Sequence, residues 1–158
     1  MAKNIHEVKV TAYIPVYNYG RYLQKAIDSV IKQSMADWEL IIIDDGSTDN
    51  TREVLDAYRN HPKITVIKQE NKGLSVTNNI AIRLANGKYI MRLDADDILD
   101  ENALVVLSNI LDKKQEVGMV YPDYFLIDED GEITDIVRRK KIGEEDTIMD
   151  LPAHGACT

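Results

Sequence analysis

The sequence has little of what would make it a secreted, membrane-spanning or nucleic-acid-binding protein. It contains one cysteine, Cys157, in 158 residues, so no internal disulfide framework can form and a reducing compartment fits best. No apolar run approaches the roughly 20 residues of a membrane span; the strongest is the short stretch from Leu40 to Ile43. The N-terminus lacks the apolar core of a signal peptide. Basic residues are outnumbered, 19 Lys and Arg against 27 Asp and Glu, for a net charge of -8. No broad basic surface can then offset phosphate repulsion, which argues against nucleic acid as a partner. The one basic run, Arg138 to Lys141, is short and reads as a solvated loop. His6, His61 and His154 share no metal-ligand spacing. The expectation is a soluble, cytoplasmic chain with no transmembrane segment, with peripheral association at the inner face of the membrane left open.

What is present is an ordinary globular composition, 44% apolar and 29% charged, long enough for one domain over residues 1–158. Short β-rich runs alternate with helical periodicity, the pattern of stacked βα units. Val8 to Pro15 reads as a first strand. Leu23, Ala26, Ile27, Val30 and Ile31 then recur at the spacing of a buried helix face. Trp38 to Ile43 is nearly continuous in apolar residues, as expected of a parallel strand covered on both sides. Asn50 and Glu53 resemble a capping box ahead of Val54, Leu55 and Tyr58. Ile64 to Ile67 reads as a third strand, and Val76, Ile80 and Leu84 as a helical stripe stopped at Asn86-Gly87. Lys88 to Leu93 predicts a fourth strand. Asp100 is placed to cap a helix burying Leu104, Leu107, Ile110 and Leu111. Gly118 to Tyr121 reads as a further strand, and Tyr124–Ile127 with Ile133–Val137 as a hairpin around 128–131.

Ligands of open α/β sheets bind beyond the carboxyl ends of the strands, and three unusual segments fall there: Pro15-Val16-Tyr17-Asn18, Asp44-Asp45-Gly46-Ser47 and Asp94-Ala95-Asp96-Asp97. Three carboxylates within four residues repel one another unless something positive compensates. A hard divalent cation, Mn²⁺ or Mg²⁺, suits such oxygen ligands. An isolated acidic turn reads more simply as a solvated loop in which Asp97 or Asp100 caps the next helix; the coincidence of three strand-end signals shifts the balance toward a metal site. A carboxylate at Asp44 or Asp45 can accept a base imide N–H or a ribose hydroxyl, or it can merely close an Asx turn. Gly73-Leu74-Ser75 after Lys72 can open a helix whose N-terminus takes an anion, or be plain capping. Tyr17 and Tyr22 can stack on a base, although eight tyrosines are scattered along the chain.

The strings Tyr13-Ile-Pro-Val-Tyr-Asn18, Ser29-Val-Ile-Lys-Gln-Ser34, Leu40-Ile-Ile-Ile-Asp-Asp-Gly-Ser-Thr-Asp49 and Leu93-Asp-Ala-Asp-Asp-Ile-Leu99, in this order and spacing, resemble family 2 glycosyltransferases. The resemblance covers residues 8–127 well and the remainder less distinctly. It implies an A-type glycosyltransferase fold, a Rossmann-like three-layer α/β/α sandwich with a mostly parallel central sheet, which binds a nucleoside diphosphate sugar, by analogy a UDP-sugar. It further implies that Pro15, Val16 and Tyr17 lie along the base, that Asp45, with Asp44, contacts the uracil, and that Asp94 touches the ribose. Asp96, with Asp94, would hold the Mn²⁺ or Mg²⁺ that bridges the diphosphate. Lys72, Asn78 and Ala95 complete the expected nucleotide-sugar contacts. Asn78 stands where many relatives carry an arginine, and Lys72 or Arg83 are the cations available to compensate.

An inverting transfer to a saccharide or lipid-linked acceptor, in cell-envelope polysaccharide synthesis, would follow from the same resemblance. The segment His154 to Thr158 looks like the one that precedes the acceptor-binding region in relatives. Asp123, Glu144, Glu145, Asp146 and Asp150 do not match the family's general base, which is expected beyond residue 158, with the acceptor-binding part missing. A non-catalytic nucleotide-sugar-binding module is the alternative. A phosphoryl-receiver domain is disfavoured, because the third strand ends in Lys68-Gln69-Glu70 rather than in a phosphoacceptor aspartate. A sugar nucleotidyltransferase is disfavoured because no glycine-rich basic loop follows the first strand.

Overall fold

The computed structural model describes residues 8–128 and 131–138. His6, His154, Cys157, Arg139 to Lys141 and the carboxylates Glu144, Glu145, Asp146 and Asp150 lie outside the described residues, as do 129–130 of the expected hairpin turn. Four parallel strands, β1 (Val10–Val16), β2 (Trp38–Asp44), β3 (Ile64–Lys68) and β4 (Tyr89–Arg92), form a sheet in the order β3-β2-β1-β4. The helices are α1 (Gly20–Ile31), α2 (Thr51–Asp56), α3 (Leu74–Leu84) and α4 (Ala103–Lys113). A two-stranded antiparallel hairpin, β5 (Tyr124–Ile127) with β6 (Ile133–Val137), follows. This is the Rossmann-like α/β architecture that the alternation of strand and helix signals predicts.

β1 and β2 are apolar on both faces because both faces are covered. Ala12, Ile14, Leu40 and Ile42 join Leu23, Ile27, Val30, Leu55 and Leu104 in one core, under α1, α2 and α4. Tyr13, Ile41 and Ile43 pack on the other face with Ala81 of α3. Each fully buried leucine or isoleucine stabilises the fold by about 1.5–3 kcal/mol. The expected periodicity of α1 holds: Leu23, Ala26, Ile27 and Val30 are all buried.

Other expectations are corrected. In α3 the buried residues are Thr77 and Ala81, with Ile80 half-buried against the core, while Val76 and Leu84 are exposed. Small side chains let this helix approach the sheet closely, so its larger apolar residues point elsewhere. In α4, Leu104 is buried, Leu107 and Leu111 are half-buried and Ile110 is exposed. Gly118 to Tyr121 forms no strand, since a strand needs a ladder partner and none of the described strands runs beside it.

Capping differs as well. Asn50 makes no side-chain cap bond; instead Asp49 accepts from Gly20 N–H (2.9 Å) and Thr51 N–H (3.0 Å), serving the starts of α1 and α2 with one carboxylate. Gly20 is glycine because a Cβ there would collide with Asn50 Oδ1 and lie 2.5 Å from Thr51 N. Asp100 closes a local turn on Asn102 N–H, and the N–H of Leu104 in α4 is capped by Gln33 Oε1 at 2.9 Å. α3 stops before Asn86-Gly87 as expected, but without a left-handed glycine cap. Asn86 is bound by Glu39, and Gly87 passes so close to Thr11 N that a Cβ would not fit.

Candidate functional site

All three predicted strand-end segments converge at the carboxyl edge of the sheet, around the point where the strand order reverses between β1 and β4. That reversal opens a crevice between the loops of adjacent strands. The loop after β1 is stitched to the loop after β2. Asn18 adopts a left-handed backbone (φ 58°), its N–H donates to Ser47 Oγ (2.9 Å) and its Oδ1 accepts from Thr48 N–H (2.8 Å). Asn tolerates this conformation better than most residues. Pro15, half-buried, and Val16, buried, belong to β1, and the Val16 carbonyl accepts Asp45 N–H at 2.9 Å. Tyr17 is 48% exposed at the strand end, free to lie against a planar ligand.

Asp44 and Asp45 are both buried. Asp44 Oδ1 accepts Ser47 N–H at 2.9 Å, an Asx turn. Asp45 organises the neighbouring loop: its Oδ1 accepts from Gln69 Nε2 (2.6 Å) and Lys72 N–H (2.8 Å), and its Oδ2 from Gly73 N–H (2.9 Å). Gly46, at φ 83°, lets the chain pass Asn71 N where a Cβ would sit 2.9 Å away. The carboxylate thus holds the start of α3 against β2. Lys72 is exposed beside this anchor. One turn into α3, Asn78 Oδ1 is buried without a hydrogen-bond partner, an acceptor that a bound ligand or water would satisfy.

At the end of β4, Arg92 donates from Nε (2.8 Å) and Nη2 (2.6 Å) to Asp94 Oδ1. Tyr13, paired with Arg92 across the sheet, has its phenol pushed above the ordinary range by burial; the Arg92 charge opposes this shift and the Asp94 charge adds to it. Ala95 is buried in the main core, so it anchors the turn, while Asp96 and Asp97 are exposed. The Asp97 carboxyl is pushed upward by partial desolvation, then by the negative charges of Asp96 and Asp94. Behind the turn, Leu99 N–H donates to Ser29 Oγ (3.1 Å) and Gln33 Nε2 to the Asp100 carbonyl (2.7 Å), so α1 fixes its backbone.

A divalent cation fits this turn in donor chemistry. The ligands are hard carboxylate oxygens whose mutual repulsion a cation relieves. Among the described residues no group of three or more His, Cys, Asp or Glu side chains is placed to hold a metal ion. A groove of about 210 Å³ borders Asp96, lined also by Tyr22, Lys25, Ile98 and Ile127. A second groove, about 380 Å³, lies at the opposite ends of the strands around Trp38 and Lys63, and contains none of the predicted site residues.

Sequence reasoning placed the three loops and missed what holds them. No motif marks the roles of Arg92 and Gln69, and Asp49 stands in the sequence only as the last residue of the Leu40 to Asp49 string. Asp49 closes the string Asp44 to Asp49, a legible signal, and Arg92 lies two residues before the carboxylate it binds, a local pairing that the sequence also carries.

The sequence model described as "Glycosyl transferase family 2" matches residues 11–150. A chondroitin synthase of Escherichia coli is 38% identical over 125 residues, covering 78% of this chain and 18% of the relative. The crystal structure of S. aureus TarS 1-349 in complex with UDP-GlcNAc superposes with a TM-score of 0.63 at 27% identity, covering 68% of this chain and 32% of that one. A mannosyltransferase, PcManGT from Pyrobaculum calidifontis, in complex with GDP-Man and Mn²⁺, superposes with a TM-score of 0.61 at 25% identity, over 65% of this chain and 32% of that one. This chain therefore spans under a third of each of these three proteins.

Proposed function

The chain belongs to glycosyl transferase family 2, and from that premise we propose that it forms the donor-binding part of an inverting glycosyltransferase. The observation that carries this reading is the convergence of Tyr17, the Asp44–Asp45 pair and the Asp94–Asp97 turn at one edge of a parallel sheet. The donor is a nucleoside diphosphate sugar. The base lies against Pro15, Val16 and Tyr17, within reach of the Asp44–Ser47 loop. Lys72, Asn78 and the start of α3 lie toward the diphosphate. UDP is the favoured nucleotide: TarS is described with UDP-GlcNAc, although PcManGT is described with GDP-Man.

Asp96 would hold the cation, Mn²⁺ or Mg²⁺, which when bound neutralises charge on the departing diphosphate; Asp94, expected to share it, has its Oδ1 taken by both Arg92 donors. PcManGT, described with Mn²⁺, supports that choice. Asp94 would direct its remaining oxygen at a ribose or sugar hydroxyl. The groove beside Asp96, with Tyr22 and Lys25 on its wall, is where the transferred sugar and the acceptor would meet. We place residues 1–158 in one nucleotide-sugar-binding domain and assign the acceptor-binding part and the general base to other regions of the whole protein.

The relative that is a chondroitin synthase supports a saccharide acceptor, and a lipid-linked one fits the same chemistry. Polysaccharide synthesis at the cytoplasmic face of the membrane is the setting proposed. No helix among the described residues is long and apolar enough to cross a membrane, which leaves peripheral association open. Titrating UDP into the chain with and without Mn²⁺ tests the reading. Binding should strengthen with the metal, and Asp96→Ala should abolish that gain. Equal, metal-independent affinity in both proteins would sink it.

A further inference from the structure

We propose that Arg92 is a positioning residue that keeps Asp94 out of the metal's coordination shell and presents it as a one-oxygen acceptor; this rests on the donor-site reading above. Both Arg92 donors, Nε at 2.8 Å and Nη2 at 2.6 Å, fall on the same oxygen, Oδ1. A carboxylate oxygen has two lone-pair sites, so Oδ1 is fully used. Among the described residues no group donates to Oδ2. The pair is largely sequestered, with side chains 17% and 20% exposed, so solvent screens it less than a surface ion pair. Arg92 is itself fixed, because its strand pairs in register with Tyr13 of β1, which is buried on the same side as Ala81 of α3.

Two consequences follow from this arrangement. The guanidinium cancels one of the three negative charges of the turn, which lowers the attraction of the empty turn for a bare cation. It also leaves Asp94 Oδ2 as a directed acceptor for a hydroxyl. The roles of the turn are thereby divided: Asp94 recognises the donor's hydroxyl, and Asp96 meets the cation only when diphosphate supplies the remaining ligands. A site built this way binds metal and nucleotide together rather than metal first.

The test is calorimetry of Mn²⁺ alone, and of UDP with saturating Mn²⁺, on the full chain and on Arg92→Met and Arg92→Lys, with circular dichroism to check the fold. Arg92→Met should bind Mn²⁺ alone about ten-fold more tightly, since a neighbouring positive charge is gone. Its UDP affinity should fall several-fold as Asp94 loses its orientation. Arg92→Lys should leave the affinity for Mn²⁺ alone near that of the unaltered chain and weaken UDP less. A merely structural role for Arg92 cannot tighten metal binding. Unchanged or weaker Mn²⁺ affinity in folded Arg92→Met, with UDP binding intact in the unaltered chain, would overturn the assignment alone. If Arg92→Met does not fold, an Arg92→Lys chain that binds Mn²⁺ alone markedly more tightly than the unaltered protein would overturn it. No UDP binding by the unaltered chain would overturn the donor-site reading and this assignment with it.

Discussion

Replacing Asp45 should destabilise the protein more than its position at a loop would suggest. Its carboxylate is buried and accepts three hydrogen bonds, at 2.6, 2.8 and 2.9 Å, from Gln69, Lys72 and Gly73. Hydrogen bonds to a charged acceptor contribute about 1.5–3 kcal/mol each. Lys72 and Gly73 are exposed, so their N–H groups regain water once the carboxylate is gone, and the low end of that range applies to them. Removing the side chain also relieves the cost of burying a charge, which offsets part of that sum, so Asp45→Ala should cost about 2–4 kcal/mol net, which for a chain of this size lowers the melting temperature by about 5–15 °C. Asp45→Asn keeps the shape and one acceptor but sets an amide N–H₂ against a backbone N–H, and should cost about 1–3 kcal/mol. Urea and thermal unfolding followed by circular dichroism read both variants. A change below about 0.5 kcal/mol, the range of an unremarkable surface substitution, would refute the view that Asp45 anchors the loop leading into α3.

Two further outcomes are expected. Gly20→Ala should destabilise by about 1–3 kcal/mol, because its methyl meets Asn50 and Thr51 with nowhere to go; an unchanged urea midpoint would contradict the tight α1–α2 junction. Asp112 is held below the ordinary carboxylate range by hydrogen bonds from Lys88, Lys9 and Tyr89. Its folded pKa is depressed, so its stabilisation is present above the unfolded carboxylate value near 4 and is lost as pH falls below it. Asp112→Asn should flatten that part of the acid limb, and 1 M NaCl should shrink the difference; an identical pH profile in the variant would refute it.

Much of the fold was legible because its central strands and first helix bury residues without help from chain-specific detail. The run Leu40 to Ile43 can only sit between two covered faces, and Leu23, Ala26, Ile27 and Val30 mark one helix face. What failed depended on neighbours. Val76 and Leu84 repeat at helical spacing, yet α3 turns its small residues Thr77 and Ala81 to the sheet. Gly118 to Tyr121 has strand composition but no described partner. Asn50 has both the identity and the position of a cap, yet it is the Asp49 carboxylate that accepts the Thr51 N–H.

The candidate site divides in the same way. Its three acidic or aromatic loops announce themselves at strand ends. Of the groups that orient them, Gln69 on Asp45 and Asn18 across two loops act through pairings that form only when the strands are side by side, whereas Arg92 reaches Asp94 two residues along its own stretch of chain. Asp45 illustrates the difference, since its residue type suggests a ligand contact and its geometry shows a loop anchor as well.

Amide NMR of the labelled chain, titrated with UDP and Mg²⁺ and then with UDP and Mn²⁺, tests donor binding at the carboxyl edge of the sheet most directly. Shift changes should centre on Tyr17, the Asp44 to Ser47 loop and the residues after Lys72. Paramagnetic broadening by Mn²⁺ should radiate from Asp96. Perturbation confined to the groove around Trp38 and Lys63, or broadening that spares the turn from Asp94 to Asp97, would contradict the account.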